Sequence, residues 1–272
     1  MNSELKFGEL KKTILLTAQK YGLSKAYLQK NWDLDYSIDF DKKFKYTLKY
    51  LNEEMTLLPQ AIKRDDFVTA ISAIVLARTR AFILRGFFRD IYDDLERLLW
   101  GKELAGKWPP IPEDLKDLEE AEDFKVSEDG AGGETDRAIK FEEFKKTIVL
   151  TAQKHGFSRE YLQENWAIDY DVDLDKKFDD TLNHFNKEVA LLSQAIQRDD
   201  FVIAKGALIR AKNWSQILKG FFSDLFSDIE RLMWGDEFEG KWPSIPEDFE
   251  VPADYDYENT NKPFGERVDF SE

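Results

Sequence analysis

The chain has 272 residues, a formal charge of −15 and no cysteine. The missing thiols exclude disulfides and thiolate chemistry, and two histidines are too few for a zinc hydrolase, a Ser-His triad in each half of the chain or a di-iron Glu-x-x-His pair. No signal-peptide core is visible at the N-terminus, and the most apolar stretch, Ile71 to Leu84, is too short to span a bilayer and carries Arg78 and Arg80; a cytoplasmic protein without a membrane partner is the expectation.

Taken in chain order, the first helix runs from about Lys6 to Tyr21, with Phe7, Leu10, Ile14 and Ala18 on one face and Gly22 as its stop. Ser24 caps a short helix ending near Trp32. A third helix is expected to start with Asp41 as N-cap and to carry Phe44, Leu48, Leu51, Met55, Leu58 and Ile62, the spacing of a bundle seam. Pro59 should kink it. Arg64-Asp65-Asp66 reads as a hairpin turn, although a continuous helix is compatible with the absence of Gly and Pro there. The fourth helix then reaches about Leu99, along a seam from Ala70 through Ala81 and Phe88 to Leu98. Gly101 ends it, and an extended Trp108-Pro109-Pro110 segment follows.

The same pattern restarts 134 residues later. Lys11-Lys12-Thr13-Ile14 returns as Lys145-Lys146-Thr147-Ile148, Arg64-Asp65-Asp66-Phe67-Val68 as Arg198-Asp199-Asp200-Phe201-Val202, and Gly106-Lys107-Trp108-Pro109 as Gly240-Lys241-Trp242-Pro243. Residues 5–114 align with 139–248 without a gap, and more than half the positions are identical. The expectation is an all-α fold: a tandem duplication of an antiparallel helical-bundle module with a long C-terminal helix in each copy. Each copy is long enough for a core of its own, with 115–138 as an acidic flexible linker and 249–272 as an acidic mobile tail. The linker permits two separate beads or a pseudo-dimer. The first copy has 19 Lys and Arg against 16 Asp and Glu (+3) and the second 15 against 21 (−6), so most of the acidity lies outside the first module.

Several motifs resemble chemistry without completing it. Gly101 to Lys107 has the spacing of a phosphate loop, but Trp108 follows where Ser or Thr must hold magnesium, and the segment leaves a helix rather than a strand. Asp169, Asp171 and Asp173 echo a calcium loop whose turn glycine is Leu174 and whose twelfth position is Asp180 instead of Glu. Asp90, Asp94, Asp224 and Asp228 could serve a carboxylate-metal or small-ligand-binding helical enzyme; ion pairs on helix faces are the simpler reading. Arg78, Arg85 and Arg89 form a basic stripe suited to phosphates, which raises a nucleic-acid-associated alternative; a salt-bridged surface is the simpler reading. The two copies differ most off the seam of the long helix: Ile71, Leu76, Arg80 and Phe82 face Lys205, Arg210, Trp214 and Gln216. Divergent exteriors on a shared core favour a non-enzymatic adaptor or inhibitor, without cofactor, that binds a protein partner. Its candidate interaction surface comprises Ile71, Arg78, Arg80, Phe82, Arg85, Arg89, Lys205, Arg210, Trp214, Asp169, Asp171 and Asp173, and acidic Tyr255-Asp256-Tyr257 is suited to a basic surface.

Overall fold

The computed structural model describes residues 6–110, 141–255 and 257. The described residues are all helical in their regular structure, in two series of equal lengths. The first comprises α1 (Phe7–Lys20), α2 (Lys25–Asn31), α3 (Phe40–Lys63) and α4 (Phe67–Trp100); the second comprises α5 (Phe141–Lys154), α6 (Arg159–Asn165), α7 (Leu174–Gln197) and α8 (Phe201–Trp234). A short 3-10 turn, Asp236–Phe238, follows α8. The expected linker, 115–138, lies outside the described residues.

Local chemistry sets the helix ends. Ser24 and Ser158 accept from the amides of Tyr27 and Tyr161 at the starts of α2 and α6. Asp66 and Asp200 do the same for α4 and α8, accepting from Thr69 N and Ile203 N at 3.1 Å each. Helices α3 and α4 are separated by a turn in which Asp65 adopts φ 56°, matched by Asp199 at 57°. Gly101 is required where α4 stops, because a Cβ there would lie 2.4 Å from the Arg97 carbonyl oxygen. Asp41 is not the N-cap of α3: Asp39 caps it, accepting from Lys42 N at 2.9 Å. Asp41 instead accepts from Phe7 N and Gly8 N at 3.0 Å each, capping α1 from a neighbouring helix, and Asp175 holds the start of α5 in the same way. Pro59 lies inside α3, which has the same 24 residues as α7 without a proline.

The two series share one core. Helices α4 and α8 lie against each other along their lengths. Their pairing is antiparallel, since Arg78 meets Glu230 while Lys212 meets Glu96, and Phe88 stacks on Phe222 at the midpoint with centroids 5.7 Å apart and planes 7° from parallel. Helix α1 has its main interface with α7, and α5 with α3, so each N-terminal helix packs chiefly on the opposite half. Lys20 donates to the Ile196 carbonyl oxygen at 2.9 Å and to Asp199, and Lys154 donates to the Ile62 carbonyl oxygen at 2.8 Å and to Asp65. Each ammonium thus sits at the negative, C-terminal end of a helix of the other half, Lys20 at α7 and Lys154 at α3.

The length argument against a membrane span does not hold for the helix as formed. At 34 residues, α4 is long and apolar enough to cross a bilayer, with an 18-residue window of mean hydropathy 1.7. Half of that window is buried in the protein, against α3 and α8, and a core helix buried from two sides passes the same test of length and composition.

Candidate binding surface on the paired long helices

The basic stripe lies along the seam between the halves. Arg78 Nε donates to Glu230 Oε1 at 3.0 Å, and its guanidinium sits 4.9 and 4.7 Å from the ring centroids of Phe226 and Trp234. Arg85 covers Phe82 and Phe226 at 5.0 and 4.5 Å. The opposite end repeats this with lysines: Lys212 lies over Tyr92 and Trp100, and Lys219 over Tyr92. These cations are therefore engaged by acidic and aromatic side chains of the other half. Arg89, further along, pairs with its neighbour Asp90 at 2.8 Å and is exposed. Phe82 remains half exposed beside Phe226.

The divergent positions also fall into pairs. In the first half Arg80 lies 5.1 Å from the Tyr50 ring; in the second, the matched residues Trp214 and His184 stack at 4.6 Å with planes 11° apart. The cation–aromatic contact of the first half is thus replaced by two stacked rings in the second, where burial lowers the His184 pKa. Arg210, replacing Leu76, pairs with Glu188 at 2.9 Å.

The acidic motifs serve the backbone. Asp94 is fully buried and accepts from Asp33 N (2.9 Å), Leu34 N (3.1 Å) and the Tyr36 hydroxyl (2.8 Å). Asp228 repeats the arrangement with Ala167 N, Ile168 N and Tyr170. Burial pushes the Asp94 carboxyl up to about 6, against the lowering effect of these donors. Asp94→Ala is expected to cost about 3 kcal/mol of stability, because it orphans buried donors worth roughly 1–3 kcal/mol each; equilibrium denaturation measures it, and a loss below about 1 kcal/mol would contradict this role. Asp169, Asp171 and Asp173 diverge: Asp169 accepts from Asp171 N, Asp171 pairs with Arg159, and Asp173 caps α7. Among the described residues no three His, Cys, Asp or Glu side chains are grouped to hold a metal ion.

One open feature on this surface is a groove of about 610 Å³ where the start of α4 meets the end of α8. It is lined by Ile71 and Val75 of α4, by Met233 and Trp234 of α8, and by Phe238, Trp242 and Ile245 of the segment that follows, with Asp236 and Glu239 contributing acidic groups. Trp242 is fixed by its Nε1 donating to the Leu232 carbonyl oxygen at 2.7 Å, and His155 packs on the rings of Phe238 and Trp242. Burial and the charges of Lys241 and Lys154 lower the His155 pKa. Trp234, by contrast, is 62% exposed. At the equivalent place on the other end, Lys205 stands where Ile71 does and donates to the Pro109 carbonyl oxygen at 3.2 Å. The Ile71/Lys205 difference was visible in the sequence; the acidic and tryptophan residues of the loop after α8 were not singled out, though Trp100 and Trp234 at matched, helix-terminal positions were a signal.

A second surface is covered by the chain's own C-terminal segment. Tyr255 lies on the Arg64 guanidinium at 4.1 Å and donates its hydroxyl to Asp66 Oδ2 at 2.9 Å; Asp254 pairs with Arg64 at 2.7 Å. The Tyr257 hydroxyl donates to buried Glu54 at 2.8 Å. The tail expected to be mobile from residue 249 is thus docked through Tyr255 and Tyr257, because aromatic burial and a cation–π contact offset the cost of ordering it; residues 258–272 lie outside the described residues.

Comparison of the chain with protein-family models, with curated proteins and with solved structures gives no match.

Proposed function

We propose that this chain is a non-enzymatic, cytoplasmic interaction protein, built by tandem duplication of one helical module whose two copies pack as a pseudo-dimer, and that it binds a protein partner in the groove beside Trp234. The observation that carries the reading is the exposed Trp234 in the lining of a groove that combines apolar side chains with the carboxylates of Asp236 and Glu239. Burying a large indole and apolar walls favours association, while the carboxylates select a partner segment with basic residues beside its apolar anchor. The duplication is supported by the 134-residue register of sequence and contacts alike: Arg78 with Glu230 and Lys212 with Glu96 are one interaction written twice. Divergence at Ile71/Lys205 gives the two ends of the pseudo-dimer different surfaces, which a symmetrical dimer of identical chains cannot have.

The test is affinity co-purification of the intact chain from its native cells at moderate salt, alongside Ile71→Lys and Trp234→Ala. Ile71→Lys imports the residue found at the matching position of the second half and is expected to abolish retention of a stoichiometric partner. Trp234→Ala is expected to weaken retention at least tenfold, the effect of a central aromatic anchor worth about 2 kcal/mol or more. A bound set unchanged by both substitutions, or the absence of any stoichiometric protein, would overturn the proposal.

A further inference from the structure

We infer that the second half carries an open docking site for an acidic peptide containing Asp-Tyr, formed by Arg198, Asp200, Leu191 and Ile203. This is separate from the Trp234 groove and rests on the seated C-terminal segment. In the first half, three interactions hold that segment: the Arg64 guanidinium under the Tyr255 ring, Asp66 accepting the Tyr255 hydroxyl, and Arg64 pairing with Asp254. The same turn exists between α7 and α8. Arg198 and Asp200 occupy the positions of Arg64 and Asp66, the intervening Asp199 has the φ of Asp65, and both aspartates cap their helix through Oδ1.

Coverage separates the two sites. Leu57 and Thr69 are 0% exposed in the first half, whereas their counterparts Leu191 and Ile203 are 36% and 46% exposed. Among the described residues Arg198 has no side-chain partner. In the first half Asp66 Oδ2 accepts from Thr69 Oγ1 as well as from Tyr255; Ile203 has no hydroxyl, so Asp200 Oδ2 keeps its full accepting capacity for a phenol. Ile203 also offers a wider apolar contact to the ring than Thr69.

The second tyrosine of the tail would find no equivalent anchor. Glu54, which accepts from Tyr257, is matched by Glu188, and Glu188 is already paired with Arg210. The site therefore reads one tyrosine and the acidic residue before it, and the occupant is a partner's acidic tyrosine-bearing segment rather than a faithful copy of the tail. An Asp-Tyr ligand complements the unpaired guanidinium in charge and in stacking geometry.

The experiment titrates the intact chain with a synthetic peptide of the sequence of residues 250–258, with binding read by fluorescence anisotropy at low and at moderate salt. The first site is filled in cis at an effective concentration on the order of millimolar, so added peptide reports the second. Saturable one-to-one binding is expected, weakened at least tenfold by Arg198→Ala and by a Tyr→Phe change at the peptide's first tyrosine, and unchanged by Arg64→Ala. No saturable binding, or binding that survives Arg198→Ala but is altered by Arg64→Ala, would overturn the assignment. Ile203→Glu provides a second variant at an exposed position: it should also abolish binding while leaving the helical circular dichroism unchanged.

Discussion

Phe88→Ala and Phe222→Ala are each expected to lower the unfolding free energy by about 3–5 kcal/mol, and to do so as one cooperative loss across the whole chain. Both rings are fully buried, and they stack on one another at the midpoint of the α4–α8 pair. Phe88 also meets Phe7, Phe44 and Phe87, and Phe222 meets Phe141, Phe178 and Phe221. Truncating either ring opens a cavity that the other half helps to line, and rigid helices on both sides limit its collapse. Denaturation followed by circular dichroism and by tryptophan fluorescence should give coincident transitions at a reduced midpoint. Two separated transitions, with only one shifted, would mean that the halves unfold independently and would refute the shared core. The double variant should cost less than the sum of the two single ones, since the residues are in contact and the second truncation enlarges an existing cavity.

Glu54→Gln should remove a pH-dependent liability. Burial pushes the Glu54 carboxyl up to about 8, offset in part by the Tyr257 hydroxyl and the Arg80 charge, from an ordinary value of 4.5. Below about pH 4.5 the group is protonated folded and unfolded alike and costs nothing. As pH rises from there to about 8 the unfolded chain ionises while the folded one stays neutral, so stability falls. Above about 8 both forms ionise and the slope ends. The gap corresponds to about 5 kcal/mol as an upper figure, at roughly 1.4 kcal/mol per pH unit. Gln keeps an acceptor for Tyr257 and has no charge to desolvate. The variant is expected to match the wild type near pH 5 and to exceed it by several kcal/mol at pH 8, measured by urea denaturation across that range. Parallel pH profiles would refute an uncharged Glu54. Other buried carboxylates raised in the same direction, Asp94 and Asp228 among them, leave this difference measurement intact because both proteins carry them.

The helices were legible because each element satisfies its own local rules. Ser24, Asp66, Gly22 and Gly101 mark boundaries within a residue or two of those observed, and the seam of α4 is buried as its spacing requires. Neighbours were less legible. Periodicity identifies the apolar face of α1, but Phe7 packs on Phe44 of its own half and on Phe185 of the other with equal chemical sense. Asp39 and Asp41 are both suitable caps, and only the approach of α1 decides which helix each serves. The arginine stripe reads as a salt-bridged surface, but the partner of Arg78 was not legible because Glu230 lies 152 residues further along the chain. A clue was present in the repeat: matched Glu96/Glu230 and Trp100/Trp234, about two and three turns beyond the crossing point, supply the complementary half of the stripe. The tail's docking was hidden for a different reason. An acidic, proline-containing segment has the composition of a solvated tail, and two tyrosines against one arginine and two carboxylates reverse that balance.

The exchange of α1 onto α7 bears on biosynthesis. The ammonium of Lys20 finds its carbonyl acceptor 176 residues later. A chain emerging from the ribosome at roughly 5–20 residues per second therefore carries α1 and the open face of α4 for several seconds before their partners exist. Closing such distant contacts is slow in proportion to their separation, unlike the local pairing that lets most helical bundles form quickly. During that interval the nascent first half presents Phe88 and its neighbours to whatever is close, including another nascent first half, whose Glu96 is matched to Arg78 as Glu230 is. Carrying both halves in one polypeptide turns that competition into an intramolecular race, which the tethered second half wins by proximity.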